Sequence, residues 1–236
     1  MARVIELQIG DQLHPARLQH AIQDALTDPR KLDRLTIQTT DEEPEAIYAI
    51  LQGGCGKDYL GVGLRNLLKV ETMGSIGDYG FAATSDCECA VQGNVGDYFG
   101  HSQISGTLLV MGSAGEGFAA MAQGGLSVVL GDSLDRPGAS LRGAAVLVRG
   151  SVGAEAGFRM RSGILVIGGD AGPRLGHQLT GGRIYIRGQA ESMTPDIEEC
   201  RLREPDRLIL SLLLMKAGLK ASAIKEFRVY RSPAEL

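Results

Sequence analysis

The stretch GNVGDYFGHSQISGTLLVMG, residues 93–112, places Gly93, Gly96 and Gly100 after a short apolar run. Glycines so spaced can bare backbone amides to a phosphate, as in a dinucleotide-binding turn. That fingerprint occurs once in a chain, between a strand and a helix, with an acidic residue downstream. Here the glycine set recurs six times, and no helical periodicity follows any copy. These glycines therefore build a fold.

The other candidate chemistry is sparse. His14, His20, His101 and His177 lie in unlike regions without metal-ligand spacing. Cys87-Glu88-Cys89 lacks the two intervening residues of a zinc or redox pair, and reads as a corner residue and a core residue. No serine sits in a Gly-x-Ser-x-Gly elbow. Asp78 and Asp97 each follow the second glycine of their repeat, which suits a turn. The one excess is basic: Arg142, Arg149, Arg159, Arg161, Arg174, Arg183 and Arg187 face only Glu155 and Asp170 between Gly138 and Gly188. Arginine forms bidentate contacts with anions, so Arg142, Arg149, Arg161 and Arg187 are candidate interface residues. Arg142 and Arg161 share a repeat position and are expected to align along one edge.

The scaffold under these residues is an internal repeat. Gly74, Gly93, Gly112, Gly131, Gly150, Gly169 and Gly188 stand 19 residues apart. Three places later come Gly77, Gly96, Gly115, Gly153 and Gly172, with Leu134 as the exception. Seven places after the first come Gly100, Gly138, Gly157 and Gly176, and near the thirteenth come Gly106, Gly125, Gly163 and Gly182, with Gly143 one place early. Of 33 glycines, 26 lie between Gly74 and Gly188, which separates a repeat from general disorder. Each unit ends in a strand-like run: ECAVQ, TLLVM, LSVVL, AVLVR, ILVIG, RIYIR. Alternate residues of these runs are apolar except Ser127, as one buried face requires. The residues between them are apolar too, so the outer face is expected to be covered.

One strand cannot bury its own face, but stacked copies pair in parallel around a continuous core. The expected fold is mainly β: a parallel β-helix of 19-residue coils over residues 54–190. Seven coils at about 4.8 Å each give a prism roughly 34 Å long. The glycines are expected at corners, where positive φ and little bulk are needed. Residues 1–53 read as a small α/β cap over one end, with strands at RVIELQI and RLTIQT and a helix from Pro15. EEPEAIYAILQ reads as a short helix capped by Asp41, or as a strand. Residues 191–236 read as a tail with an apolar helix, Pro205 in its first turn, Gly218 at its end and a final strand at EFRVYR. A helix so apolar is buried against the β-helix or a partner.

A net charge of −4 does not point to nucleic acid or an anionic membrane. The chain has no apolar run suited to a signal peptide or a membrane span, and Cys55, Cys87, Cys89 and Cys200 fit reduced thiols; the expected compartment is the cytoplasm.

Tandem G-x-x-G-x-x-x-G coils ending in GGRIYIRGQAES and a helical tail resemble the GXGXG domain, the C-terminal β-helix of the glutamate synthase large subunit. The resemblance covers residues 53 to 236 and implies a right-handed β-helix without catalytic residues, cofactor or metal. It implies a structural subunit holding an amidotransferase-like subunit and an FMN-containing synthase subunit, as in glutamate synthase or N-methylglutamate synthase. The alternative within the same resemblance is the β-helix subunit of a formylmethanofuran dehydrogenase or of a formyltransferase/hydrolase complex. A free-standing β-helix enzyme would need clustered carboxylates on one face, and the repeats do not supply them. The α/β start belongs to neither pattern.

Overall fold

The computed structural model describes residues 2–8, 36–40, 47–52, 56, 58–65, 68–217 and 221–235. Among them, twelve strands form one sheet in the order β11-β12-β10-β9-β8-β7-β6-β5-β4-β3-β1-β2. The repeat supplies β5 (Glu88–Val91), β6 (Thr107–Val110), β7 (Leu126–Val129), β8 (Arg142–Val148), β9 (Ser162–Ile167) and β10 (Arg183–Ile186). Neighbours pair in parallel at the 19-residue step, so Cys89, Leu108, Ser127, Val146, Leu165 and Ile184 form one column. That column and the one two residues on, Val91 to Ile186, are buried in the core. Ser127 is accommodated because the equally buried Gln103 accepts its hydroxyl, while the Gln103 amide donates to the Ser105 and Gly106 carbonyls. The mainly β parallel solenoid with a C-terminal helix is as the repeat predicts.

Two kinds of constraint hold the glycines. At the first residue of each coil, a Cβ on Gly112 would lie 2.2 Å from Asn94 Oδ1, and one on Gly150 would lie 2.1 Å from Asp132 Oδ1. Those side-chain oxygens accept the amide one place past each glycine, in a ladder from Ser75 through Asn94, Ser113, Asp132, Ser151 and Asp170 to Gln189. Asp78, Asp97 and Asp135 do the same past the second glycine, toward Asp97, Glu116 and Ala154. The residue types read as turn formers are therefore rungs between coils.

Positive φ belongs elsewhere, which corrects the expectation for most of the glycines. The leading glycines and those three places later lack it, whereas Gly100, Gly138, Gly157 and Gly176, seven places later, have φ of 70°, 66°, 72° and 69°, and Gly106, Gly125, Gly143, Gly163 and Gly182 are positive too. Two flanking columns adopt the same left-handed backbone mostly without glycine: Tyr79, Tyr98, Gly117, Arg136, Glu155 and Arg174, and Ala83, Ser102, Met121, Ser140, Arg159 and Gln178. The cause lies in the hydrogen bonds. Tyr98 N donates forward to Glu116 O, Gly100 N donates back to Gly80 O, and Ser102 N donates forward to Ala120 O. Each left-handed residue costs about 1–2 kcal/mol, offset by an amide that would otherwise be buried and unpaired.

Both ends of the sheet reverse direction. The region read as a cap continues the ladder: β3 (Ile47–Gln52) pairs in parallel with β4 (Leu68–Thr72), and β1 (Ala2–Gln8) pairs in parallel with β3. IYAILQ is thus a strand, which settles the helix-or-strand choice. β2 (Thr36–Thr40) then runs antiparallel to β1. At the far end, β12 (Arg228–Arg231) lies antiparallel to both β10 and β11 (Glu198–Cys200). The helix expected from Pro15 lies outside the described residues, as do His14, His20, Cys55 and the Gly218 cap.

Helix α1 (Glu204–Lys216) covers part of the outer sheet face. Leu210, Leu214 and Ala217 pack with Leu126, Val128, Leu147, Val166 and Tyr185, and Phe227 and Val229 complete the cluster. From Val128 to Tyr185 the apolar outer face is covered, by this chain, while Ala90 and Leu109 remain half-buried.

Replacing Gly96, whose Cβ would meet Asp78 Oδ1 at 2.3 Å and Gly77 C at 2.7 Å, with alanine is expected to cost about 1–3 kcal/mol. Chemical denaturation measures this. An unchanged midpoint would mean the coils do not approach so closely there.

Candidate docking surfaces

The outward residues of a solenoid stand in columns, and neighbouring coils set what each column can do. The column at the fifth place after each leading glycine begins with stacked rings: Tyr59 on Tyr79 at 5.4 Å, and Tyr79 on Tyr98 at 5.1 Å. His101 meets both later tyrosines edge-on, and its Nδ1 lies 2.9 Å from Ser102 Oγ. Burial pushes its pKa down, so this imidazole is neutral at neutral pH.

Further along, the same column becomes ionic. The Glu155 side chain is only 6% exposed, and three groups surround it: Arg136 Nε at 2.7 Å, Arg174 Nη2 at 3.1 Å and His177 Nδ1 at 3.1 Å. Arg136 also reaches Glu116 at 3.3 Å and lies over the Phe158 ring with Arg159. The Arg136 hydrogen bond and charge hold the Glu155 carboxyl below the usual glutamate range, with help from His177 and Arg174 and against partial burial. Stacking in register brings these residues together from coils 19 residues apart. Arg136, Glu155 and Arg174 share a repeat position, so the spacing carries a signal for this chain of pairs; a count of arginines points to other positions and misses it.

A second buried carboxylate ties the tail to the solenoid. Asp206 accepts the Tyr185 hydroxyl at 2.8 Å, Arg231 Nη2 at 2.6 Å and the Arg203 amide at 3.0 Å, with Arg183 at 3.8 Å. Burial pushes this carboxyl up, but those donors outweigh it and hold it below the ordinary range. Burial and the Asp206 bond push Tyr185 up to about 12. This network locks α1, β10 and β12 together.

The four candidate interface arginines do not form one edge. Arg142 pairs with Ser162 instead of Arg161, because β8 carries an extra residue between Arg142 and Ala145. Gly143, at φ 144°, lies in that bulge. Arg149 and Arg187 do share a column, with Gly168 between them, and Arg187 Nε donates to the Gly168 carbonyl at 2.8 Å. The first pair stands where the strands begin and the second where they end, on the order of 20 Å apart along the strand. Among the described residues Arg142, Arg149 and Arg161 are exposed and have no ion pair, whereas Arg159, Arg174 and Arg183 have partners in the chain. Cys87 and Cys89 are buried and Cys200 is half-buried, none of them in a disulfide, and burial pushes the Cys89 thiol up. Among the described residues no group of three or more His, Cys, Asp or Glu could hold a metal, and no helix is long and apolar enough to cross a membrane.

No protein-family model matches this chain, and no curated protein matches it. Among solved structures, it is similar to a chain of the formyltransferase/hydrolase complex (FhcABCD) from Methylorubrum extorquens, whose X-ray structure was determined in complex with methylofuran. The two share 23% identity with a TM-score of 0.66, over 94% of this chain and 90% of that one. The likeness is one of fold.

The depressed Glu155 pKa has a definite sign. Its stabilisation is full above the ordinary glutamate pKa and is lost as the pH falls through the lower folded value. Glu155→Gln is therefore expected to melt well below the native chain at about pH 7, with the gap narrowing as the pH falls below the ordinary glutamate range. A pH-independent gap would assign the effect to packing.

Proposed function

We propose that this chain is a non-catalytic β-helix subunit of a multi-subunit enzyme of the formyltransferase/hydrolase type. The observation that carries this reading is the similarity along nearly the whole of both chains to a member of that complex. It favours the formyl-transfer alternative of the GXGXG resemblance over the glutamate synthase reading. The latter, with its amidotransferase-like and FMN-containing partners, rests on the coil pattern and helical tail alone.

What such a subunit must do follows from its geometry. Coils joined by a hydrogen bond at almost every amide hold surface columns at fixed spacing, so partners docked on different corners keep a fixed separation. Arg142 and Arg161, exposed where successive strands begin but offset by the bulge, offer contacts to an acidic partner surface, and Arg149 with Arg187, two coils apart in one column, offers a second set. Exposed arginines held by a rigid scaffold gain nothing from one another in a free chain. Carboxylates on a partner supply charge-assisted hydrogen bonds.

Co-expression with the products of the neighbouring genes tests the reading. The expected result is a stable assembly that transfers or hydrolyses formyl groups on a furan-type carrier and dissociates when this subunit is omitted. An FMN-containing assembly acting on glutamine would replace it with the glutamate synthase reading, and a chain that purifies alone would overturn both.

Within that assembly, Arg142→Glu combined with Arg161→Glu is expected to weaken partner binding by about tenfold or more. The subunit's own melting temperature should hardly move, because neither side chain has an internal ion pair. Assembly at native yield and salt resistance would remove this corner as a docking site.

A further inference from the structure

Helix α1 has a second face that the fold leaves unused. Leu208 is 62% exposed, Leu212 50% and Met215 65%. They recur at i, i+4 and i+7, so they form one stripe on the side opposite the buried Leu210 and Leu214. The helix itself is fixed, since Asp206 in its first turn is tied to Tyr185 and Arg231. The stripe is thus a rigid apolar ridge.

The charges around the ridge define what fits it. Residues 201–226 hold six basic and three acidic residues in a chain whose net charge is −4. One of the three acids, Asp206, is buried, and Glu204 pairs with Arg207 at 2.7 Å. Arg201, Arg203, Arg207, Lys216 and Lys225 are exposed. A second copy of this chain is a poor match. A two-fold pairing of antiparallel helices about Leu212 would bring Arg207 of one copy against Lys216 of the other, since these stand five residues before and four after the centre. Like charges so placed oppose association.

We infer that the outer face of α1 docks an amphipathic segment of a partner subunit, with an apolar stripe bordered by Asp and Glu. The segment's apolar residues cover Leu208, Leu212 and Met215, and its carboxylates meet Arg207 and Lys216 at the two ends of the ridge. The inference rests on the reading of the chain as a subunit of a larger assembly, and it assigns that subunit a contact separate from the arginine corners.

The test uses the assembled complex. Leu212→p-benzoylphenylalanine is introduced for photo-cross-linking, and the cross-linked peptide is sequenced. The expected product is a peptide of another subunit with apolar residues at three- and four-residue spacing and flanking carboxylates. In parallel, Leu208→Ser with Leu212→Ser is expected to lower co-purification by about tenfold while the isolated chain keeps its melting temperature, because both side chains are solvent-exposed. A cross-link to a second copy of this chain, or to a partner segment lacking carboxylates, overturns the inference. So does binding of the native chain to vesicles of anionic phospholipid that the serine variant loses, or assembly of that variant at native yield. In the last case the subunit reading survives, since a complex still forms. A native chain that recovers no partner subunit instead fails that reading.

Discussion

The fold depends on one interaction repeated along its axis: a side-chain oxygen of one coil accepting a backbone amide of the next. Ser75, Asn94, Ser113, Asp132, Ser151 and Asp170 each place that oxygen where the next coil's leading glycine would carry its Cβ. Glycine and a short polar residue are thus one device, and neither functions without its counterpart a coil away. An insertion of one residue would move the oxygen off its amide and the Cβ-free position off the oxygen. This is why the 19-residue step runs unbroken from Gly74 to Gly188. The exception follows the same rule. Glu116 turns toward Arg136 and does not cap the next coil's amide, and at that coil Leu134 replaces glycine.

The turn side of each coil solves a related problem differently. Amides alternate in direction between coils, which demands a left-handed residue at every second position whether or not glycine is available. Once those residues are committed to a left-handed backbone, their side chains project from the corner in columns. Tyr59, Tyr79 and Tyr98 stack there, and Arg136, Glu155 and Arg174 form a chain of ion pairs. The backbone hydrogen bonding thus dictates which side chains are surface neighbours.

Much of this was legible in the sequence because a strict repeat converts position into geometry. The parallel strands, their register, the two inward columns, the buried Cys89 and the covered outer face all follow from the 19-residue spacing and the apolar alternation. What escaped is where the repeat is locally broken or where residues outside it return. The bulge at Gly143 separates Arg142 from Arg161 although both hold the eleventh place of their coils. The glycine φ assignment failed for the leading glycines and those three places later because close approach and positive φ both select glycine, and sequence alone does not separate them. The Asp206 network joins residues 21 and 25 positions apart through a tail without periodicity. No spacing rule points to it.

The division between a constrained interior and a free exterior bears on how function attaches to such a fold. Core columns, amide ladders and leading glycines are fixed by stacking, so they resist drift in any chain that keeps the coil. Outward columns are held less tightly, and where neighbouring coils do not touch, as at Arg142 and Arg149, a coil can change its corner residue without disturbing the core. Two solenoids can therefore share 23% of their residues, keep one fold, and still present different corners to different partners. For this chain the informative residues are those that stacking does not explain: the unpaired Arg142, Arg149 and Arg161, and the exposed Leu208, Leu212 and Met215. A free monomer gains nothing by holding like charges at fixed separation or an apolar ridge in water. A rigid prism with several such surfaces can hold anything docked on them at distances the coil spacing determines.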